Sequence, residues 1–168
     1  FVLGAQPARL LDMTTAYATV ANDGLRPTPH VIDEIVKDGQ QIYRYPRYNL
    51  KPLPSVDRVS FYQLRRILEG TVVRGTATKI KDLAGIVAGK TGTSNDENDA
   101  WFVGFTNKIT VGVWVGYDNR KIRSSLGGGF TGGKIALPIA EKVLRESFNI
   151  YPKQKLPDAP PEIRSQIV

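Results

Sequence analysis

An α+β fold, with helices packed on a three-stranded antiparallel meander, is what three features of the sequence predict. Apolar residues recur at helical spacing in two stretches before residue 86 and in one after residue 133. Between them, from Ile86, the pattern changes to period two. The last two strand candidates are separated only by Asn107-Lys108, too short for a parallel crossover, so they are antiparallel neighbours. A length of 168 residues fits one domain or one large piece of a bigger one.

Taken in order, Pro7 suits a first helical turn, and Leu10, Leu11, Thr14, Tyr17 and Ala18 share helical spacing up to the Asn22-Asp23-Gly24 stop, which predicts a helix over 7–21. Val31 to Val36 and Gln41 to Tyr45 flank Lys37-Asp38-Gly39-Gln40, whose Asp-Gly pair signals a hairpin. The three prolines between Pro46 and Pro54 read as a connector without a regular ladder, and Ser55 as the opener of the next helix. In that helix Phe61, Leu64, Ile67 and Leu68 form the apolar stripe, while Arg58, Arg65 and Arg66 are expected to point outward.

Strands follow over 86–93, 100–106 and 109–117. In the last, Ile109, Val111, Val113, Val115 and Tyr117 share one face and Thr110, Gly112, Trp114 and Gly116 the other, so both faces are expected to be covered. A Gly-rich stretch, 127–133, leads into a helix from Lys134 to Phe148, with Pro138 in its first turns. Residues 149–168 hold Pro152, Pro157, Pro160 and Pro161 without periodicity and are expected to be an extended or disordered tail to the domain at 1–148.

Composition narrows the function. With 23 Lys+Arg against 16 Asp+Glu, the net charge of +7 favours anionic partners without naming one. The absence of cysteine removes disulfides, thiolate chemistry and Cys-based zinc sites. The apolar run at 109–117 is about half the length of a spanning helix. The start at Phe1-Val2-Leu3-Gly4 suggests an internal fragment.

The segment Gly89-Lys90-Thr91-Gly92-Thr93-Ser94 places a cation, hydroxyls and a side-chain-free position at the end of a strand, a ligand-facing composition. Alternation sends Thr91 and Thr93 to one face and Lys90 to the other, unless twist brings the ammonium into the same groove. Gly92 lets a chain approach the backbone, and an exposed edge here would pair with an extended peptide and bind its carboxylate. A plain surface strand ending in a turn is the alternative at this point.

Other candidates are weaker. Gly85 to Thr91 falls one residue short of a phosphate loop; Gly128 to Lys134 has the spacing, yet Ile135 carries no hydroxyl for magnesium, so nucleotide binding is not expected. His30 is the only histidine and reads as a half-exposed loop residue, with no metal cluster or triad around it. Asp96, Glu97 and Asp99 read as a solvated loop, Asp118 as a turn opener, and Arg120, Lys121 and Arg123 as a solvated basic patch. Trp101 and Trp114 read as core or groove residues, and no nucleic-acid partner is expected.

As a set, Lys90-Thr91-Gly92-Thr93, then 99–105 (Asp-Ala-Trp-Phe-Val-Gly-Phe) and 113–118 (Val-Trp-Val-Gly-Tyr-Asp), resemble the C-terminal part of the transpeptidase domain of class A (bifunctional) penicillin-binding proteins. Leu3-Gly4-Ala5, Ala21-Asn22-Asp23-Gly24, Thr131-Gly132-Gly133 and Ala136-Leu137-Pro138-Ile139 extend the likeness over about residues 1–148. The resemblance implies an αβα sandwich of the penicillin-binding and serine β-lactamase type, here partial, around a five-stranded sheet. It also implies an extracytoplasmic place in a bacterial cell envelope, and cross-linking of peptidoglycan stem peptides through a serine acyl-enzyme that β-lactams also form. No cofactor or metal is implied. On matching positions, Lys90 and Thr93 would be catalytic, and Lys90, Thr91, Gly92 and Thr93 would bind substrate: Lys90 sets the positive field, both hydroxyls take the carboxylate, and the Thr93 amide is one oxyanion donor.

The family's Ser-x-x-Lys and Ser-x-Asn elements do not occur before Lys90. Thr76-Ala77-Thr78-Lys79 mimics the first with threonine and Ser147-Phe148-Asn149 the second after the wrong strand; neither is given a catalytic role, and substitution of Thr76 is expected to leave acylation unchanged. The nucleophile, the missing strands, a glycosyltransferase domain and any membrane anchor are then expected upstream. The N-terminal half of the same domain is the expected protein partner, and this chain alone is expected to be inactive. A noncatalytic peptide or carbohydrate binding module and a serine β-lactamase fragment are the alternatives; the aromatic strands and long hairpin favour the transpeptidase.

Overall fold

The first helix, α1, is Leu10–Ala21, with Arg9 at its N-cap and Pro7 left outside. Its buried face is Thr15, Thr19 and Val20, while Leu10 and Leu11 of the expected stripe are exposed. Threonine can face the core because Thr15 and Thr19 return their hydroxyls to the carbonyls of Leu11 and Thr15, at 2.7 and 2.8 Å. Asp23 (φ 50) and Gly24 (φ 93) then turn the chain in the left-handed region. Only glycine fits at 24, because a Cβ there would strike the Phe61 ring. The computed structural model of the chain describes residues 6–46, 50–54, 56–94, 97–117, 125–161 and 163.

Strand β1 (Leu25–Pro27) pairs antiparallel with β4 (Leu50–Pro52), a ladder the three prolines of the connector hide. Pro27 and Pro52 stand at the strand ends, where the missing N–H costs little. Between them, β2 (Glu34–Lys37) and β3 (Gln40–Arg44) form the predicted hairpin. Positive φ at both Asp38 (51°) and Gly39 (77°) is what a type I′ turn requires.

Helix α2 is Arg58–Arg74, capped by the Asp57 carboxylate, which accepts from the Ser60 amide at 2.7 Å. The expected opener, Ser55, lies outside the described residues. Phe61, Arg65, Leu68, Glu69 and Val72 are buried, whereas Leu64 and Ile67 are exposed. The predicted stripe is therefore rotated, and Arg65, expected outside, sits at 1% exposure. Arg65 is paired there, donating to Asp23 Oδ1 at 2.7 Å and to the Pro157 carbonyl at 3.1 Å.

A 3₁₀ segment, Thr78–Leu83, leads to β5 (Ala88–Thr93), β6 (Asp99–Phe105) and β7 (Thr110–Gly116), paired antiparallel in the order β5-β6-β7, the predicted meander. Helix α3, Ala136–Ser147, begins two residues after Lys134, because the Lys134 and Ile135 amides both close turns onto the Thr131 carbonyl at 2.9 Å. One side of the sheet packs Ala88 and Phe105 against Val20, Phe61, Leu68 and Leu156. The other packs Ala100, Phe102 and partly buried Val111, Val113 and Val115 against Ile80, Leu83, Leu137, Ala140 and Leu144. Helix α1 covers β7 at Gly112, where a Cβ would strike Thr14 Oγ1, while Trp114 on the same face stays exposed, so the expected cover of that face is partial. The result is an αβα arrangement, with α2 lending Phe61 and Leu68 to one layer and Val72 to the other.

Arg145 fixes α3 to the 3₁₀ segment by a bidentate pair with Asp82 (2.9 and 3.0 Å), and this guanidinium holds the Asp82 carboxyl below its usual range. Among the described residues beyond α3 there is no helix or strand, yet Leu156 is buried and its amide donates to the Gly85 carbonyl at 2.8 Å.

Candidate functional site

Strand β5 is an edge of its sheet, and the ladder fixes which of its groups look outward. Ser94 N–H donates to the Asp99 carbonyl at 3.0 Å, so this opposed pair is hydrogen-bonded, and so by alternation are Gly92–Trp101 and Lys90–Val103. Gly89, Thr91 and Thr93 then turn their amides and carbonyls away from β6. Two side-chain contacts agree with this: the Thr71 hydroxyl, whose one proton is shared between the Leu68 carbonyl at 2.8 Å and the Gly89 carbonyl at 2.5 Å, and Lys90 Nζ, which donates to the Thr91 carbonyl at 2.6 Å. Lys90 starts on the face opposite Thr91, as alternation requires, yet its ammonium reaches the same edge.

Thr91 and Thr93 share the other face. Thr91 is buried, and its Oγ1 lies 2.5 Å from Thr76 Oγ1. Thr93 is exposed, and its Oγ1 accepts the Gly132 amide at 3.1 Å. That amide reaches it because Gly132 lies against the β5–β6 backbone, where a Cβ would overlap the carbonyls of Gly92 and Trp101. Gly92 faces the Cβ of Trp101, opposite it on β6. The structure thus gathers the ammonium of Lys90, two hydroxyls and two outward amides at one strand end.

Around this edge the supposed solvated loop is partly structural. Both carboxylate oxygens of Glu97 accept the Gly129 amide, at 2.9 and 2.7 Å, and tie the β5–β6 turn to the Gly-rich stretch. Asp99 is buried and accepts the Trp114 indole at 2.9 Å, while the Trp101 and Trp114 rings lie 6.3 Å apart, tilted at 52°. Composition alone predicts both acids to be solvated; the strand beginning at Asp99 buries that residue, whereas Glu97 stays partly exposed and is engaged by the Gly129 amide. Asp96, Asp118, Arg120, Lys121 and Arg123 lie outside the described residues.

The remaining candidates are elsewhere. Ser147 is buried and donates to the Leu144 carbonyl at 2.7 Å. His30 is the half-exposed loop residue expected, bonded to Asp33 at 2.7 Å and stacked 3.4 Å above Tyr45. It lines a groove beside α1 and the β6–β7 turn, at the end of the sheet away from Thr93. Thr76 is the residue that sequence reasoning set aside: only the fold, ending α2 at Arg74 beside β5, could bring it to Thr91.

The model of the family described as the penicillin-binding protein transpeptidase domain matches residues 9–145. The chain belongs to that family. Penicillin-binding protein 1A of Rickettsia conorii is 38% identical over 182 residues, covering 94% of this chain and 22% of that protein. The Aquifex aeolicus protein of the same name is 36% identical over 164 residues, covering 95% and 21%. The chain therefore spans about a fifth of the length of these relatives. Among solved structures, Haemophilus influenzae penicillin-binding protein 1A shares the fold at TM-score 0.80 and 23% identity, over 92% of this chain and 28% of that one. A D,D-transpeptidase domain of a peptidoglycan glycosyltransferase from Eggerthella lenta matches at TM-score 0.67 and 27% identity, over 86% and 33%. The transpeptidase-family chain has, among its described residues, no helix long and apolar enough to cross a membrane.

Proposed function

We propose that this chain is the C-terminal portion, over residues 1–148, of a serine D,D-transpeptidase domain that cross-links peptidoglycan in the bacterial cell envelope, outside the cytoplasmic membrane. Residues 149–168 follow it as an appendage fastened through Leu156. The observation that carries the reading is the outer edge of β5, where Lys90 and the outward amides of Thr91 and Thr93 converge in a chain of this family.

In this reading an extended stem peptide, or a β-lactam imitating it, lies along that edge. Lys90 supplies positive charge to the substrate carboxylate and supports proton transfer at the nucleophile. The Thr93 hydroxyl already accepts the Gly132 amide, so its own proton is left to donate to the carboxylate. Gly92 keeps the backbone approachable. The Thr93 amide, directed out of the sheet, is one oxyanion donor; the other donor and the attacking serine come from a segment outside this chain, as do the glycosyltransferase domain and the membrane anchor. Loss of one such donor costs about 3 kcal/mol where it has been tested.

The test uses the full-length protein and its second-order rate of acylation by a penicillin. Lys90→Ala and Thr93→Val are expected to slow acylation by roughly tenfold to a hundredfold, the worth of one hydrogen bond to a charged group, with the melting temperature unchanged. Wild-type rates in both variants would overturn the assignment of this edge.

A further inference from the structure

We propose that residues 149–160 are a latch rather than a tail: they lock the entry to β5 at the end of the sheet away from Thr93, and so hold in place the strand that carries the candidate site. The latch works whatever binds at the outer edge of β5. It is fastened at three points within four residues. The Gln154 side chain accepts from Asn107 Nδ2, on the β6–β7 turn, at 2.7 Å. The Leu156 amide donates to the Gly85 carbonyl at 2.8 Å, and the Pro157 carbonyl accepts from the buried Arg65 of α2 at 3.1 Å. Leu156 itself enters the core of Val20, Phe61, Leu68, Ala88 and Phe105, and Pro160 is buried beyond it. The family match ends at residue 145, before any of these groups.

What the latch holds is the turn into β5. Gly85 takes φ 76°, in the left-handed region, and a Cβ there would meet no atom within 4 Å, so side-chain packing does not fix this turn. Backbone bonds do: the Ile86 and Val87 amides close onto the Leu83 carbonyl, both at 3.0 Å, and Leu156 takes the Gly85 carbonyl from outside. The alternation that bonds Ser94 to Asp99 also makes Ala88–Phe105 a hydrogen-bonded pair. Leu156 therefore packs on the two residues whose mutual bonds close the far end of the β5–β6 ladder. Pro157, Pro160 and Pro161 stiffen the unfastened chain, which lowers the entropy lost when it docks without helix or strand. Undocking would uncover Ala88 and Phe105 and take the Pro157 carbonyl from Arg65.

The experiment is amide exchange on the full-length protein, read residue by residue by mass spectrometry. In the wild type the Leu156 amide should exchange about a hundredfold more slowly than those of its exposed neighbours Lys155 and Asp158. Leu156→Ala unseats the latch, so the Ala88 and Phe105 amides should exchange about tenfold faster relative to those of Gly92 and Trp101, at the site end of the same ladder. Leu144→Ala makes an equal cut in the core on the other side of the sheet and should accelerate all four amides alike, which separates latching from general loss of stability. Leu156→Val, a milder cut, should shift the same pair in the same direction and carries the test if Leu156→Ala does not fold. A Leu156 amide as fast as its neighbours, equal acceleration of all four amides in a Leu156 variant, or the same bias toward Ala88 and Phe105 in Leu144→Ala would each overturn the proposal.

Discussion

Single side chains in this structure are set by what their neighbours can accept. The His30 ring bonds to two groups that only accept, the Asp33 carboxylate at 2.7 Å and the Thr28 carbonyl at 3.2 Å, so only the doubly protonated imidazolium satisfies both. The bond to Asp33 first, and then that to Thr28, raises the His30 pKa above its ordinary value. A histidine whose pKa rises on folding adds stability fully present below the unfolded value, near 6.5, and lost as pH rises through the folded value. We therefore expect the segment from Thr28 to Tyr45 to loosen as the pH rises above about 6.5 and through the raised folded value. Amide exchange of the Tyr45 N–H, which donates to Asp33 O at 2.7 Å, should accelerate over that range in the wild type beyond its intrinsic pH dependence. In His30→Gln the excess should vanish; an equal excess in the variant would show that another group is responsible.

At the scale of elements, α2 shows what a sequence pattern can and cannot reveal. Its existence, its length and the burial of Phe61 and Leu68 are legible in the helical spacing, as the meander is in the two-residue link and the hairpin in Asp38-Gly39. The burial of Arg65 is not, because it depends on Asp23, 42 residues away, and on Pro157, 92 away, and a guanidinium carries no sign of a distant partner. The same holds for the β1–β4 ladder, masked by its prolines, and for Thr76, whose partner lies on another element. In the candidate site, the Lys90 to Thr93 motif could be read directly; the hydroxyl and amide wiring behind it could not. The buried arginine also makes a prediction about stability. Arg65→Ala leaves the Asp23 carboxylate only its longer bond to Arg58, at 3.4 Å, and frees the Pro157 carbonyl, so it should lower the unfolding free energy by about 2 kcal/mol, the worth of a hydrogen bond to a charged group. Arg65→Met, which keeps the volume beside Leu68 and Leu156, should cost less. Chemical denaturation of both variants checks the order, and an Arg65→Ala protein as stable as wild type would show the pair to be dispensable.

At the scale of the whole molecule the three-stranded sheet has two outer edges, and they differ in what they ask for. At β5 the outward groups are partly met from within, by Thr71 on Gly89 and by Lys90 on Thr91. At β7, Thr106 N–H donates to the Ile109 carbonyl at 2.9 Å, which by alternation along the register turns the amides of Val111, Val113 and Val115 toward β6 and those of Gly112 and Trp114 outward. Among the described residues β7 pairs with β6 alone, and an apolar edge of that kind invites another strand. We expect the N-terminal half of the domain to pair there, bringing the serine that β5 lacks: no serine in this chain stands three residues ahead of a lysine. In dilute solution of the isolated chain, the amides of Gly112 and Trp114 should exchange quickly and those of Val111 and Val113 slowly. Adding the N-terminal half should slow the first pair and leave the second unchanged. Equal protection of both pairs in a dilute monomer would count against an open edge. Mass spectrometry after incubation with a penicillin completes the test, because covalent capture needs a nucleophile beside a base. No adduct is expected on the isolated chain, and one is expected on the N-terminal half once the two are combined. An adduct on the 168-residue chain itself, at Thr76 or any serine, would place the chemistry somewhere other than the partner of this edge.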